Sequence, residues 1–485
     1  MYDCGKSDTS IVPERFANKG MYMSAEQKEG REVAEGNPNR ETRSRTQSRE
    51  SLQQDLVRIR EAATRDRNAK FTALWHHVYN IDRLRAAYFD LKRTSAPGVD
   101  DETWLSYGQR LDENLQDLSK RLCRGSYRAK PVKRVYIPKS DGRKRPIGIP
   151  TLEDKLVQSV ACKVLSEVYE ADFRDFSYGF RPGRSQHDAL NSLIVGLTKM
   201  KVNWVLDADI SGFFDAIDHS WLLRFVEHRI KDERVLRHLK KWLNAGVLED
   251  GVVHQAKEGT PQGGSISPLL ANVYLHYALD NWFLDWKSRL ATGDVMMVRY
   301  ADDFIVGFQH RADAERFLVD LRARLARFNL KLHPDKTRLL EFGRFAQRDR
   351  VRRGEGKPET FNFLGFTHIC GKCRRGWFKV VRRTMQKRLQ SKLREVNMEL
   401  RKRLHEPVYK VGMWLKSVVL GHYRYYGVSG NSKAMQSFRY RIAFLWKTSL
   451  IRRSQKGKCD WIRMNKLLNA WLPYPKILHP YPGSR

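Results

Sequence analysis

Two adjacent carboxylates, Asp302 and Asp303, interrupt an otherwise apolar stretch, VMMVRYADDFIVGF. A third acidic strand end occurs upstream in VNWVLDADI, where Asp207 and Asp209 close a run of apolar residues. Burying a carboxylate is costly unless a positive partner meets it. If the two strands lie side by side in one sheet, Asp209 can face Asp302 and Asp303. Three convergent carboxylates repel one another unless cations sit among them. Oxygen-only ligands suit Mg2+, with Mn2+ as a substitute. A pair of such ions ~4 Å apart is the arrangement used for phosphoryl transfer at a nucleic-acid 3′ end.

The elements that must position these residues can be read from local pattern. VMMVRY and DFIVGF form a hairpin with the acidic pair at its tip. PVKRVYIPKSDGRKRPIGIP (131–150) alternates as two strands around Ser-Asp-Gly, and Thr151 with Asp154 marks the start of a helix. GVLEDGVVHQ reads as a second hairpin. A long amphipathic helix is expected over 267–290, with Pro268 in its first turn. RADAERFLVDLRARLARFNL is another helix, FNFLGF (361–366) a short strand, and the chain from about Arg382 reads as helical throughout. The fold class is therefore α+β, with a helical module at its end. Residues 1–60 read as a polar, flexible tail, 61–375 as the mixed core and 376–485 as the helical module.

The chain carries 90 Lys+Arg against 55 Asp+Glu, a net charge of +35. Residues 371–485 hold 28 Lys+Arg and 4 Asp+Glu. Charge concentrated in this way points to a polyanionic partner, RNA or DNA. Trp, Tyr and regular apolar spacing in the same region argue against a mere solubilising tail. The lack of any ~20-residue apolar run argues against a membrane. Six scattered cysteines suit a reducing compartment. The C-x-x-C of HICGKC lacks a second pair at zinc-ribbon spacing and reads as free thiols. The start, MYDCGKSDTS, is polar rather than a signal peptide, so a cytoplasmic, nucleoid-associated location is expected.

RYADDFIVG resembles the catalytic hairpin of reverse transcriptases, and LDADISGFFDAIDH resembles the preceding aspartate strand in the form used by group II intron enzymes. GTPQGGSISPLLANVYLH, SYGFRPGRSQHDAL, VYIPKSDGRKRPIGIP, LKLHPDKTRLLEFG and FNFLGF are similar to further motifs of that family, in order from about residue 70. The resemblance implies a right-hand polymerase with fingers, an antiparallel palm sheet and a helical thumb, followed by an RNA-binding maturase region. It implies RNA-directed DNA polymerase activity, with Asp209, Asp302 and Asp303 as catalytic carboxylates and metal ligands and the backbone carbonyl of Ile210 beside them. Asp207, Asp215 and Asp218 crowd the same motif, and the family pattern selects Asp209. For the dNTP the resemblance implies Phe214 under the sugar, Gln262 and Gly263 alongside, and Lys139 and Arg145 on the triphosphate. A core ring is the alternative for Phe213 or Phe214, and template phosphate the alternative for Lys139 or Arg145. Lys336 matches a proton donor to pyrophosphate, and Tyr300 packs beneath the metal site.

VGMWLKSVVLGHYRYYGVSGN (411–431) resembles the maturase signature, and VRRTMQKRLQSKLREVNMELRKRL the thumb. Candidate RNA contacts are Arg181, Arg382, Arg383, Lys387, Arg388, Tyr423 and Arg424, while Trp414 and Tyr425 read as core. The implied partners are group II intron RNA, an RNA template with a DNA primer, dNTPs and a DNA target. No Cys/His constellation follows LPYPKILHPYPGSR, so no endonuclease is expected and priming would come from nascent strands. The alternatives are a domesticated relative in repair or defence and a non-catalytic RNA-splicing chaperone.

Overall fold

The computed structural model describes residues 39–138, 144–249, 251–254, 259, 263–373, 375–453 and 459–482. They form two compact units that interleave in sequence rather than dividing near residue 375. The first takes residues up to 135 with 146–175 and 212–280, and the second takes 136–145, 176–211 and 281–485.

The first unit is led by a helix, Asn39–Arg65, so the stretch read as tail is helical from residue 39 onward. Its sequence, NRETRSRTQSRES, holds no Gly or Pro and is rich in Arg, Glu and Gln, which favour helix. It lacks an apolar stripe, and the periodic signal starts only at Leu52. Ile59 and Ala63, one turn apart, supply the buried side. The helix Leu152–Tyr169 begins as expected, with the Thr151 hydroxyl accepting the Asp154 N–H at 3.2 Å. A four-stranded sheet in the order β2-β1-β4-β5 contains β1 (Val132–Pro138), β2 (Lys144–Ile149), β4 (Val247–Glu249) and β5 (Val252–His254). The long helix expected over 267–290 is interrupted. Ser267–Leu275 is α-helical, His276–Asp280 is a wider π turn that buries Asp280 fully, and Asn281–Leu290 resumes as α-helix in the second unit.

The second unit is built on an antiparallel sheet in the order β6-β7-β3-β8, comprising β6 (Val295–Tyr300), β7 (Asp303–Phe308), β3 (Trp204–Asp209) and β8 (Arg338–Glu341). A smaller sheet follows, β11-β10-β9, from β9 (Phe361–Phe363), β10 (Phe366–Lys372) and β11 (Phe378–Thr384). One core joins the two: Leu190, Leu193 and Ile194 of the helix Gln186–Lys199 pack with Val205, Val298, Phe361, Phe366 and Val380. The expected all-helical region therefore starts at Gln386, after β11, and not at Arg382. Helices Gln386–Lys402, Val408–Tyr426, Ser432–Ile451 and Trp461–Trp471 enclose a separate core around Leu415, Phe438, Ile442 and Trp446.

Asn431 fastens this helical group to β11. Its Oδ1 accepts the Thr384 N–H at 3.0 Å, and its Nδ2 donates to Thr384 Oγ1 and to the Tyr426 carbonyl, both at 2.9 Å. The residue is 1% exposed, so no water replaces a lost partner. Asn431→Ala should cost about 2–4 kcal/mol, the usual penalty for stranding buried polar groups. Urea unfolding of the full chain checks this, and a change below about 0.5 kcal/mol would refute the role.

Candidate active site

Asp209 ends β3 and Asp303 opens β7, and the two are direct cross-strand partners. Asp302 precedes Asp303 in the turn between β6 and β7. All three carboxylates are half-buried. The tip of this hairpin is held from behind. Arg299 is fully buried, and its Nη1 donates to the Ala301 carbonyl at 3.0 Å. Its backbone pairs with an incoming segment, Arg299 N–H to Phe176 O at 2.8 Å and Tyr178 N–H to Arg299 O at 2.9 Å. Gly179 then passes so close that a Cβ there would lie 2.4 Å from the Ala301 nitrogen. Ala301 itself has a φ of 59°, a conformation that few residues other than Gly adopt. The SYGF motif is thus the backing of the acidic turn.

A second segment closes on the end of β3. Ile210 bridges Leu332, through Ser211 N–H to Lys331 O and His333 N–H to Asp209 O, both 2.8 Å. The Ile210 carbonyl lies outside this bridge. The following turn delivers Lys336, whose Nζ rests 2.5 Å from Asp209 Oδ2.

Burial acts first on these carboxyls, and their mutual repulsion adds to it. Burial pushes the Asp303 carboxyl well up, and Asp207, Asp209 and Asp302 push it further, with Lys336 in opposition. Burial also raises Asp302; its own backbone N–H pulls the other way, Asp209 adds to the rise, and Arg145 and Lys336 offset it. Asp207 is pushed up to about 6, chiefly by burial, against the pull of Arg338 at 3.5 Å. A divalent cation would relieve this repulsion, and the donors are the hard oxygens that Mg2+ prefers. Among the described residues no three His, Cys, Asp or Glu side chains converge as ligands. The ammonium of Lys336 is the cation that meets Asp209 instead.

The structure therefore gathers Asp209, the Ile210 backbone, Asp302, Asp303, Lys336 and the charge of Arg145 in the second unit. Phe214 and Gly263 belong to the first. There Phe213 is the buried ring, edge-on to Tyr274, and Phe214 is the more exposed of the pair. Gly263 has a φ of 125°, and a Cβ would lie 2.3 Å from the Gly148 carbonyl, so only glycine fits. Lys139 and Gln262 lie outside the described residues.

Three of the expected RNA contacts are buried instead. Arg181 donates to the Ser177 carbonyl at 2.7 Å. Arg382 is fully buried as the cross-strand partner of His368. Tyr423 is 3% exposed and donates to the Pro473 carbonyl at 3.2 Å. Arg383, Lys387, Arg388 and Arg424 are exposed. Sequence reading missed Arg299 and Gly179. Arg299 had a signal, a lone cation within an apolar strand, which demands a buried partner.

Residues 137–368 match the family model described as Reverse transcriptase (RNA-dependent DNA polymerase). Protein YkfC of Escherichia coli (strain K12) is 36% identical over 280 residues, covering 51% of this chain and 73% of its own. Group II intron-encoded protein LtrA of Lactococcus lactis subsp. cremoris is 38% identical over 238 residues, covering 48% of this chain and 39% of its own. An uncharacterized 91 kDa protein in a cob intron of Schizosaccharomyces pombe is 34% identical over 245 residues, 48% of this chain and 29% of its own. The chain thus spans most of the first relative and less than half of the other two.

Gly179→Ala tests the backing of the turn. The added methyl must push the Ala301 backbone aside, so any activity that depends on Asp302 and Asp303 should fall at least tenfold while the chain stays folded by circular dichroism. Unchanged activity would show that the turn does not need this support.

Proposed function

The chain belongs to the group II intron-encoded reverse transcriptases, which are RNA-directed DNA polymerases, and from this membership we propose how it acts and on what. It adds deoxynucleotides to a primer 3′-OH along an RNA template. Asp209, Asp302 and Asp303 would hold two Mg2+ ions, with the Ile210 carbonyl completing the set. The observation that carries this reading is the direct pairing of Asp209 with Asp303, with Asp302 adjacent, in a buried setting that raises the carboxyls.

When bound, the metals supply activation of the 3′-OH and stabilisation of the leaving pyrophosphate. The remaining work belongs to the chain. The Arg299 and Gly179 backing keeps the acidic turn in place, so that little reorganisation is needed during reaction. Lys336 pairs with Asp209, and beside a bound metal its ammonium would be able to donate a proton to pyrophosphate. Arg145, close enough to act on Asp302, would hold the triphosphate, where a guanidinium can bind bidentately. Phe214 would lie against the sugar and exclude a ribose 2′-OH.

The basic helical region would hold the intron RNA that encodes the chain and assist its splicing. The same RNA would serve as template during insertion into a DNA target. Arg383, Lys387, Arg388 and Arg424 are all exposed and would meet its phosphates.

Primer extension on an RNA template with dNTPs and Mg2+ tests the reading. Asp302→Ala and Asp303→Ala should each reduce extension at least a thousandfold with RNA affinity preserved. Phe214→Ala should retain extension and admit ribonucleotides. A wild-type chain that binds RNA tightly but extends nothing would favour the splicing chaperone.

A further inference from the structure

We propose that the groove between the helices Ser432–Ile451 and Trp461–Trp471 is a stacking site for an unpaired RNA base. The groove encloses about 350 Å³ and is lined by Gln436, Arg439, Tyr440, Trp461, Asn465 and Tyr474. Three of these are large rings left in water: Tyr440 is 64% exposed, Tyr474 68% and Trp461 39%. Rings of this size are normally covered, and a cluster of uncovered ones marks a binding surface. The Tyr440 and Trp461 rings are nearly parallel, 11° apart with centroids at 6.4 Å, and so present aligned flat faces.

The cations of the groove identify the occupant. Lys447 Nζ stands 4.3 Å from the Trp461 ring centroid, and the Arg439 guanidinium 4.0 Å from that of Tyr474. Arg439 Nε donates to the Leu472 carbonyl at 3.1 Å, while its Nη2 is shielded from solvent without a hydrogen-bond partner. Aromatic faces flanked by Lys and Arg are how proteins hold single-stranded nucleic acid: the rings stack bases and the cations meet phosphates. The amides of Gln436 and Asn465 offer both donors and acceptors to a base edge. Residues 432–485 hold 12 Lys+Arg and a single acidic residue, Asp460. That carboxylate caps the second helix, accepting the Arg463 N–H at 2.8 Å. Among the described residues that line the groove none is acidic, so none there opposes a phosphate. A peptide that seeks an apolar groove would gain nothing from this charge, which favours RNA over a protein occupant.

The inference rests on the RNA-handling role proposed above and adds the place and the kind of contact: a base outside a duplex, stacked on Tyr440 and Trp461. Base stacking on an aromatic side chain is sequence-tolerant, so the site would recognise a looped or bulged nucleotide rather than a particular base.

Photocrosslinking of the full chain to single-stranded RNA carrying 5-iodouridine tests it, with the crosslinked residues mapped by mass spectrometry. Adducts are expected on Tyr440, Trp461 or Tyr474, reduced at least tenfold by unlabelled single strand and much less by a fully duplexed competitor RNA of A-form geometry. Tyr440→Ala with Trp461→Ala should lower the yield roughly tenfold or more, and Tyr440→Phe should retain it. Primer extension on a short template should be unaffected by these exposed substitutions. Adducts confined to other parts of the chain would overturn the site while leaving the RNA-handling role intact. Absence of any adduct together with absence of extension would overturn both.

Discussion

Asp209 and Asp303 face each other across two hydrogen-bonded strands, and like charges in that position repel. The segments packed around the acidic turn oppose that repulsion. Left alone, the turn carrying Asp302 and Asp303 would relax outward into water. Arg299, fully buried, pins the Ala301 carbonyl, and the Phe176–Gly179 segment closes the space behind it. The segment 331–336 fixes the end of β3 from the other side and brings Lys336 onto Asp209. The cost of holding carboxylates together is met by backbone hydrogen bonds and by a fully packed core beneath them. The carboxyls of Asp302 and Asp303 remain raised, by burial first and then by their acidic neighbours.

The essential part of this site was legible in the sequence because carboxylates inside apolar strands are conspicuous. The same rule applied to Arg299 would have found its role, since a cation within VMMVRY is as anomalous as the aspartates that follow it. Gly179 was not legible in this way. Its constraint is the approach of another strand's backbone, which no local pattern encodes. The helix before residue 52 escaped notice because its residues favour helix without forming an apolar stripe.

The misplaced RNA contacts have a common cause. Arg181, Arg382 and Tyr423 were chosen for residue type, and type alone does not distinguish a solvated cation from a buried one. Arg382 faces inward because β11 pairs with β10 in a register that sets it opposite His368. That hairpin was not expected, so the parity that buries Arg382 and exposes Arg383 could not be assigned. In the helix 408–426 helical spacing marked Trp414 and Tyr425 as core; both are partly buried, Trp414 packed against the core around Leu415 and Phe438 and Tyr425 against the core shared by the two sheets. What it could not locate was the exposed aromatic set, Tyr440, Trp461 and Tyr474, because that groove arises only when two helices and the segment after them come together.

The central proposal is that Asp209, Asp302 and Asp303, carried on neighbouring strand ends, take a cation together once Lys336 gives way. Mn2+ binding to the metal-free full chain, followed by electron paramagnetic resonance, measures this without reference to catalysis. The account predicts binding by the wild type that weakens as pH falls, since protons compete for carboxyls whose affinity for them is raised, and a loss of at least tenfold in affinity for Asp303→Asn. Mn2+ binding of equal strength in the wild type and in Asp303→Asn would contradict it.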